Sequence, residues 1–292
     1  INETQGEPKM HFYDIYLSVG CACRPAYHLL ANDLRNEAYP LDWQMAYSLD
    51  TVIHLFQTKF TDFFIDIKEA DTTGSRNCRR IIDKKNDITS IHHFSKDIEL
   101  LKAQELFLQK MNKRFLHLEQ TLLNSKKLVL ICNRTDTLEK LETFLQNFSL
   151  IYPHLEIKLI NIRNNEDMSS DSFDSKKYII NDILSIEEYS FNDTFNSITN
   201  ETFDWHGNEK MWNKVLKSYY TTNNLTTIQE IKAISKNFVI YGAGRRCLSL
   251  LTKFEKYGIQ IKGIAVTDTL NNPKSIGQYS VHQIEQYDKT DC

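Results

Sequence analysis

The stretch Phe12–Leu30, FYDIYLSVGCACRPAYHLL, constrains the fold of this chain more than any other. An apolar run through Ile15, Tyr16, Leu17 and Val19 stops at Gly20, and two residues past the second cysteine Pro25 opens a helical pattern, so the segment reads as strand, tight turn and helix start. Pro25 suits the first helical turn, where its missing N–H has no bond to lose. A thiol at a helix N-terminus meets unpaired backbone N–H groups and the positive end of the helix dipole, which lower its pKa and favour the thiolate. Cys23 is therefore the candidate nucleophile and is expected to be the most reactive thiol, with Arg24 adding positive charge beside it. Cys21, inside the turn, is less favoured. The plainer reading, in which both cysteines fill small gaps at a strand end, stands beside this one.

Composition narrows the classes of function. At 292 residues the chain has room for about two domains. Its formal net charge of -3 gives no basic field, so nucleic acid is not expected as a partner. No apolar run approaches the roughly 18 residues of a membrane span, and no charged start leads into an apolar stretch, so a cytoplasmic location is expected. A chain starting at Ile1 is expected to be processed or excised, which leaves room for a lost leader. Six cysteines at irregular spacings fit neither a disulfide framework nor a zinc site, and no metal is expected.

Further along, Leu49 to Phe64 carries Val52, Ile53, Leu55, Phe56, Phe60 and Phe63 as a helical stripe, with Asp42 after Pro40 placed to cap the next helix. Residues 66–90 read as strand and loop. Ile88–Phe94 has strand character and two adjacent histidines. Neighbours on a strand point to opposite faces, so His92 is expected to face the cysteine and His93 to be exposed. A helix over 97–123 follows. Lys127–Asn133 is a continuous apolar run ending in polar residues, as in a strand buried on both faces whose carboxyl end opens onto a site; Asn133, Arg134 and Asp136 lie there. A helix over 137–152, strands over 156–162 and 178–184 and a helix over 209–220 complete an α/β domain, with a partly parallel sheet and flanking helices, over residues 11–220.

Residues 221–236 read as a linker, and 237–292 as a small Rossmann-like βαβ unit. Gly242 permits a tight turn, Gly244 lets a phosphate approach the helix N-terminus, and Asp268 ends the next strand where an acid bonds ribose hydroxyls. Cys247 stands where a third glycine belongs, and one and a half βα units make only half a dinucleotide site. The expectation is weak binding of a nucleotide, NAD or a nucleotide sugar, with no cofactor required.

Four segments, Leu17–Tyr27 (LSVGCACRPAY), Leu41-Asp42-Trp43, Ile91–Phe94 (IHHF) and Trp205–Trp212 (WHGNEKMW), together resemble a bacterial family named for papain-like cysteine peptidases, itself a domain of unknown function. The resemblance covers about residues 12–220. In that family the last cysteine of a Ser-x-Gly-x-x-Cys pattern is taken as the nucleophile, which falls here on Cys23. The family's His-Asp-Phe places its histidine on His92, with His93 where the aspartate would be. Residues 237–290 separately resemble Rossmann-like units appended to bacterial sugar-modifying and glycan-assembly proteins.

Papain-type sites take a cysteine from a helix N-terminus, a histidine from a later strand and an Asn or Asp that orients the imidazole. Those are Cys23, His92 and one of Asn133 or Asp136; His93, or His206 with Asp204, are the alternative partners. The expected function is a cysteine-dependent hydrolase or acyl transferase that cleaves an amide or thioester of a small-molecule, peptide or glycan substrate. The alternative is a non-peptidase module of a bacterial surface-glycan biosynthesis enzyme that binds a nucleotide or nucleotide sugar.

Overall fold

A computed structural model describes residues 10–35, 37–196, 201–202, 205–234 and 238–287. It separates into two units, Ile1–Thr221 and Thr222–Cys292. In the first, β1 (His11–Tyr13) and β2 (Ile15–Ser18) lead into α1 (Arg24–Ala31), then β3 (Gln44–Met45) and α2 (Leu49–Gln57). Next come β4 (Ile67–Thr73), β5 (Cys78–Asp83), β6 (Ile88–Ser95) and the long α3 (Leu100–Asn124). After these follow β7 (Lys127–Cys132), α4 (Leu138–Ile151), β8 (Glu156–Asn164), β9 (Asp174–Ile179) and β10 (Leu184–Phe191). A short pair, β11 (Phe195–Asn196) and β12 (Glu201–Thr202), precedes α5 (Glu209–Leu216) and β13 (Tyr219–Thr221).

The apolar strands do what continuous Val, Ile and Leu runs require and bury both faces. β2, β7, β8 and β10 pair side by side in parallel, and β9 closes the β10 edge antiparallel. Along β7 the side chains alternate between two cores. Leu128, Leu130 and Cys132 join the cluster that holds α2, α3 and α4 residues, while Val129 and Ile131 join Leu29, Trp212 and Leu216 from α1 and α5. Helices thus cover the two sides of a partly parallel sheet, an α/β fold. A second, antiparallel sheet runs β3-β6-β5-β4. Phe107 of α3 packs on it against Phe64 and Phe94.

Several boundaries differ from expectation: the helix expected over 209–220 stops at Leu216, and Tyr219 and Tyr220 belong to β13 instead. The helix expected over 49–64 stops at Gln57, and Lys59 and Phe60 turn left-handed with φ of 54° and 57°. Ser48, rather than Asp42, caps this helix, its hydroxyl accepting from the Thr51 N–H at 3.0 Å. The strand expected over 178–184 is centred on a turn instead. There the Asn181 side chain accepts from the Ile183 and Leu184 N–H groups at 2.9 Å, and this Asx turn joins β9 to β10.

In the second unit α6 (Thr222–Ile234) occupies most of the stretch expected as a linker. β14 (Phe238–Tyr241), α7 (Arg245–Lys256) and β15 (Ile261–Val266) then form the expected βαβ, with the two strands parallel. A strand missed in the sequence, β17 (Tyr279–Gln283), adds a third parallel member beside β15 and forms a hairpin with β16 (Ser275–Ile276). Among the described residues no helix is long and apolar enough to cross a membrane.

Candidate active site

Strand β2 delivers the chain to the Cys23 turn. The Val19 N–H bonds the Ile131 carbonyl at 2.9 Å, and the Val19 carbonyl accepts from Arg134 Nε at 3.0 Å, so the strand end is pinned to the end of β7. Gly20 follows where any side chain collides: a Cβ there lies 2.6 Å from Pro25 Cγ and 3.0 Å from Asn133 Oδ1. Cys23 is the N-cap of α1, with φ -69° and ψ -19°. From the second sheet β6 brings His92, whose Nε2 lies 3.6 Å from Cys23 Sγ. That separation is within the looser reach of a resting nucleophile–base pair. The His92 ring stands edge-on to Trp43 at 5.9 Å and 80° between planes. Cys23, His92, Trp43 and Asn133 line one cleft of about 970 Å³, a volume suited to a small ligand or a peptide segment.

Burial sets the protonation of the pair. Cys23 is only 7% exposed, and burial pushes its thiol up to about 11, with the Asp42 charge adding and its own backbone N–H opposing. The thiolate-favouring effect expected of the helix start is outweighed: losing water costs the anion more than the helix end returns. Arg24 does not supply the expected charge either. It turns to Asp193, with Nη1 2.6 Å from Oδ2, and its Nε donates to the Trp205 carbonyl at 2.8 Å. Burial, then the Arg76 charge, hold His92 below its ordinary 6.5. At neutral pH the two rest as thiol and neutral imidazole.

Asp42 lies fully buried behind the site. It accepts from Arg35 and from the Tyr39 N–H, and burial raises its carboxyl to about 6 against the pull of Arg35. His93 also lines the cleft but is not exposed as expected. The α3 helix covers its side of β6, so the ring packs 5.4 Å from Phe107 with Nδ1 3.1 Å from Ser90 Oγ, and burial lowers it to about 3.

The expected third members divide. Asn133 reaches the cleft, with Oδ1 buried and unpaired. Asp136 is drawn away to Arg134 and Lys140, at 3.5 and 3.1 Å. Among the described residues neither bonds His92. His206 lies with its ring 4.6 Å from Tyr27 and 3.8 Å from Trp205, and its carbonyl accepts from His28 Nε2 at 2.7 Å. Its intended partner Asp204 lies outside the described residues. The cations of the cleft, Arg76, Lys110 and Arg114, were not singled out in the sequence. The available signal was the spacing of Lys110 and Arg114 on α3, four apart and beside the buried Phe107 and Met111.

In the second unit Gly242 takes φ 97°, which only glycine adopts at ease, and Gly244 is the N-cap of α7. A Cβ on either glycine meets nothing within 4 Å. The Gly242 N–H is already bonded to the Ala265 carbonyl at 2.8 Å, and Asp268 accepts from the Leu270 N–H at 2.8 Å. Among the described residues no cluster of three or more His, Cys, Asp or Glu side chains offers a metal site.

Residues 14–150 match the family described as "Putative papain-like cysteine peptidase", a domain of unknown function. The match spans Cys23, Asp42, His92 and Asn133 but ends before the Trp205–Trp212 segment. It supports a cysteine hydrolase at the level of the family. No curated protein and no solved structure matches the chain, and no comparison supports the expected likeness of 237–290 to glycan-assembly units.

Proposed function

We propose that the first unit is a cysteine-dependent hydrolase or acyl transferase that cleaves an amide or thioester at Cys23. The observation that carries this reading is the 3.6 Å approach of His92 Nε2 to a thiol on a helix N-terminus inside a cleft. Because the pair rests neutral, His92 acts as general base: Nε2 takes the thiol proton as Sγ bonds to the carbonyl carbon. The tetrahedral oxyanion forms near the Cys23 backbone N–H, and Asn133 is assigned as a second donor rather than as the orienter of His92. Collapse breaks the bond to the leaving nitrogen or sulfur, which takes the proton from His92. Water, or another acceptor, then attacks the thioester with His92 again as base, and the thiol is restored. Trp43 takes the orienting role by packing on the imidazole.

Peptide mapping after exposure to p-nitrophenyl acetate tests this. The expected result is acetylation of Cys23, slowed about 100-fold or more in His92→Ala, the usual contribution of a positioned base. Acetylation centred on Cys21 or Cys78, or a rate indifferent to His92, overturns it.

A second reading concerns the second unit alone: weak binding of a nucleotide at the left-handed Gly242 turn that leads into α7. It is supported by the βαβ arrangement and by the open space around both glycines. Calorimetric titration of the whole chain with NAD and a nucleotide sugar tests it; no heat with either removes it.

A further inference from the structure

The cleft around Cys23 and His92 is walled by cations, and no acidic side chain lines it among the described residues. Arg76 comes from the turn between β4 and β5, and Lys110 and Arg114 come from one face of α3. Arg24 is already committed to Asp193, but Arg76, Lys110 and Arg114 form no ion pair or hydrogen bond with any described residue. Arg114 Nη1 is buried with no partner, a state that native structures rarely leave without a ligand or water to fill it. Asp42 is the carboxylate whose field reaches Arg114, and it is bound to Arg35 and the Tyr39 N–H. Lys110 is held below its ordinary pKa by burial and then by Arg114, as befits like charges crowded without a counterion. Arg76 keeps its place at a left-handed φ of 54°, a strained conformation for a residue other than glycine and one found disproportionately at ligand sites.

Three cations without a bonded counterion, lining the cleft of a nucleophile, have one simple use. We infer that the substrate carries an anionic group, a carboxylate or a phosphate, on the part of the molecule held by Arg76, Lys110 and Arg114 while its acyl carbon meets Cys23. The inference rests on the reading of Cys23 and His92 as nucleophile and base, and it names the substrate class that reading leaves open. A neutral amide gains nothing from this wall. An anion both neutralises it and is drawn in, since a cleft of one charge sign raises the arrival rate of its counterion.

Two alkylating reagents of similar size, one anionic and one neutral, supply the test without knowledge of the substrate. Labelling rates at Cys23 are measured with iodoacetate and with iodoacetamide, and their ratio is compared with that of 2-mercaptoethanol. The expected ratio exceeds the reference by about tenfold or more. It should fall toward the reference in Arg76→Gln, Lys110→Gln and Arg114→Gln, and with added salt. A ratio equal to the reference, or one unmoved by all three substitutions, overturns the inference. Arg76 and Lys110 are more exposed than Arg114, so their variants carry the test even where Arg114→Gln perturbs folding. If both reagents stay dependent on His92 while the ratio is ordinary, the nucleophile–base pair survives and only the anionic substrate fails. Where the ratio is raised, whichever of inorganic phosphate and succinate protects Cys23 at the lower concentration identifies the anionic group.

Discussion

Two strand–turn–helix starts can be set side by side in this chain, one at Gly20–Cys23 and one at Gly242–Gly244. Their sequences make similar promises: an apolar strand, glycine in the turn and a helix N-terminus left unsatisfied. Their surroundings differ. At the first, a Cβ on Gly20 strikes Pro25 and Asn133, and a histidine from another sheet comes to the thiol. At the second, a Cβ on either glycine meets nothing. A turn motif supplies a helix end, but distant residues make it a site.

Acid should separate the two units most. His28 is buried and stacked on Trp212 at 4.3 Å, and burial, with lesser contributions from Arg24 and His206, lowers it to about 3. A lowered folded-state pKa means that the unfolded chain takes the proton first. The stability is therefore whole above the ordinary 6.5 and drains as pH falls toward about 3. The loss from His28 is at most about 5 kcal/mol, and His93 acts in the same direction. In the second unit His282 is exposed, so hydrogen exchange at falling pH should show the first unit opening while the second stays protected. Loss of both together would break the contrast.

Arg24→Ala should come next. It strands the buried Asp193, which also accepts from Trp212 Nε1 and the Asn208 N–H at 2.9 Å. Removing one partner of a buried pair costs about 3 kcal/mol, to be read from urea denaturation of the full chain. The glycines give the smallest and most pointed pair. Gly20→Ala should cost about 2 kcal/mol by overpacking, whereas Gly244→Ala, at φ -93° and in open space, should cost no more than about 1 kcal/mol, the loss of a glycine N-cap. Equal costs would mean that the two turns are held alike.

Much of this was legible because it was local. Apolar runs located β2, β7, β8, β14 and β15 but not the parallel β10 and β17; Pro25 and the glycines located two helix starts, and alternation along β6 placed His92 rather than His93 against the thiol. What escaped depends on burial and on chain returning from far away. The thiol of Cys23 was expected to be acidic because its helix start is local, while the burial that raises it comes from the packed fold. His93 was expected in solvent because nothing in its own segment announces that α3 lies over it. The turn at Asn181 was hidden within an apolar stretch, since one side chain binding two N–H groups outweighed strand propensity there. The cationic wall joins a hairpin tip to a helix face, and no spacing in the sequence connects them.

The site pairs a buried thiol with a neutral imidazole, so His92 rather than the helix end makes the nucleophile. The direct measurement is the ultraviolet absorbance of the Cys23 thiolate against pH, taken as the difference between the native chain and Cys23→Ser. A buried thiol of this kind shows no thiolate band at neutral pH and gains one only toward about 11. A full band at neutral pH that disappears in His92→Ala would show a preformed thiolate–imidazolium pair and contradict the neutral one.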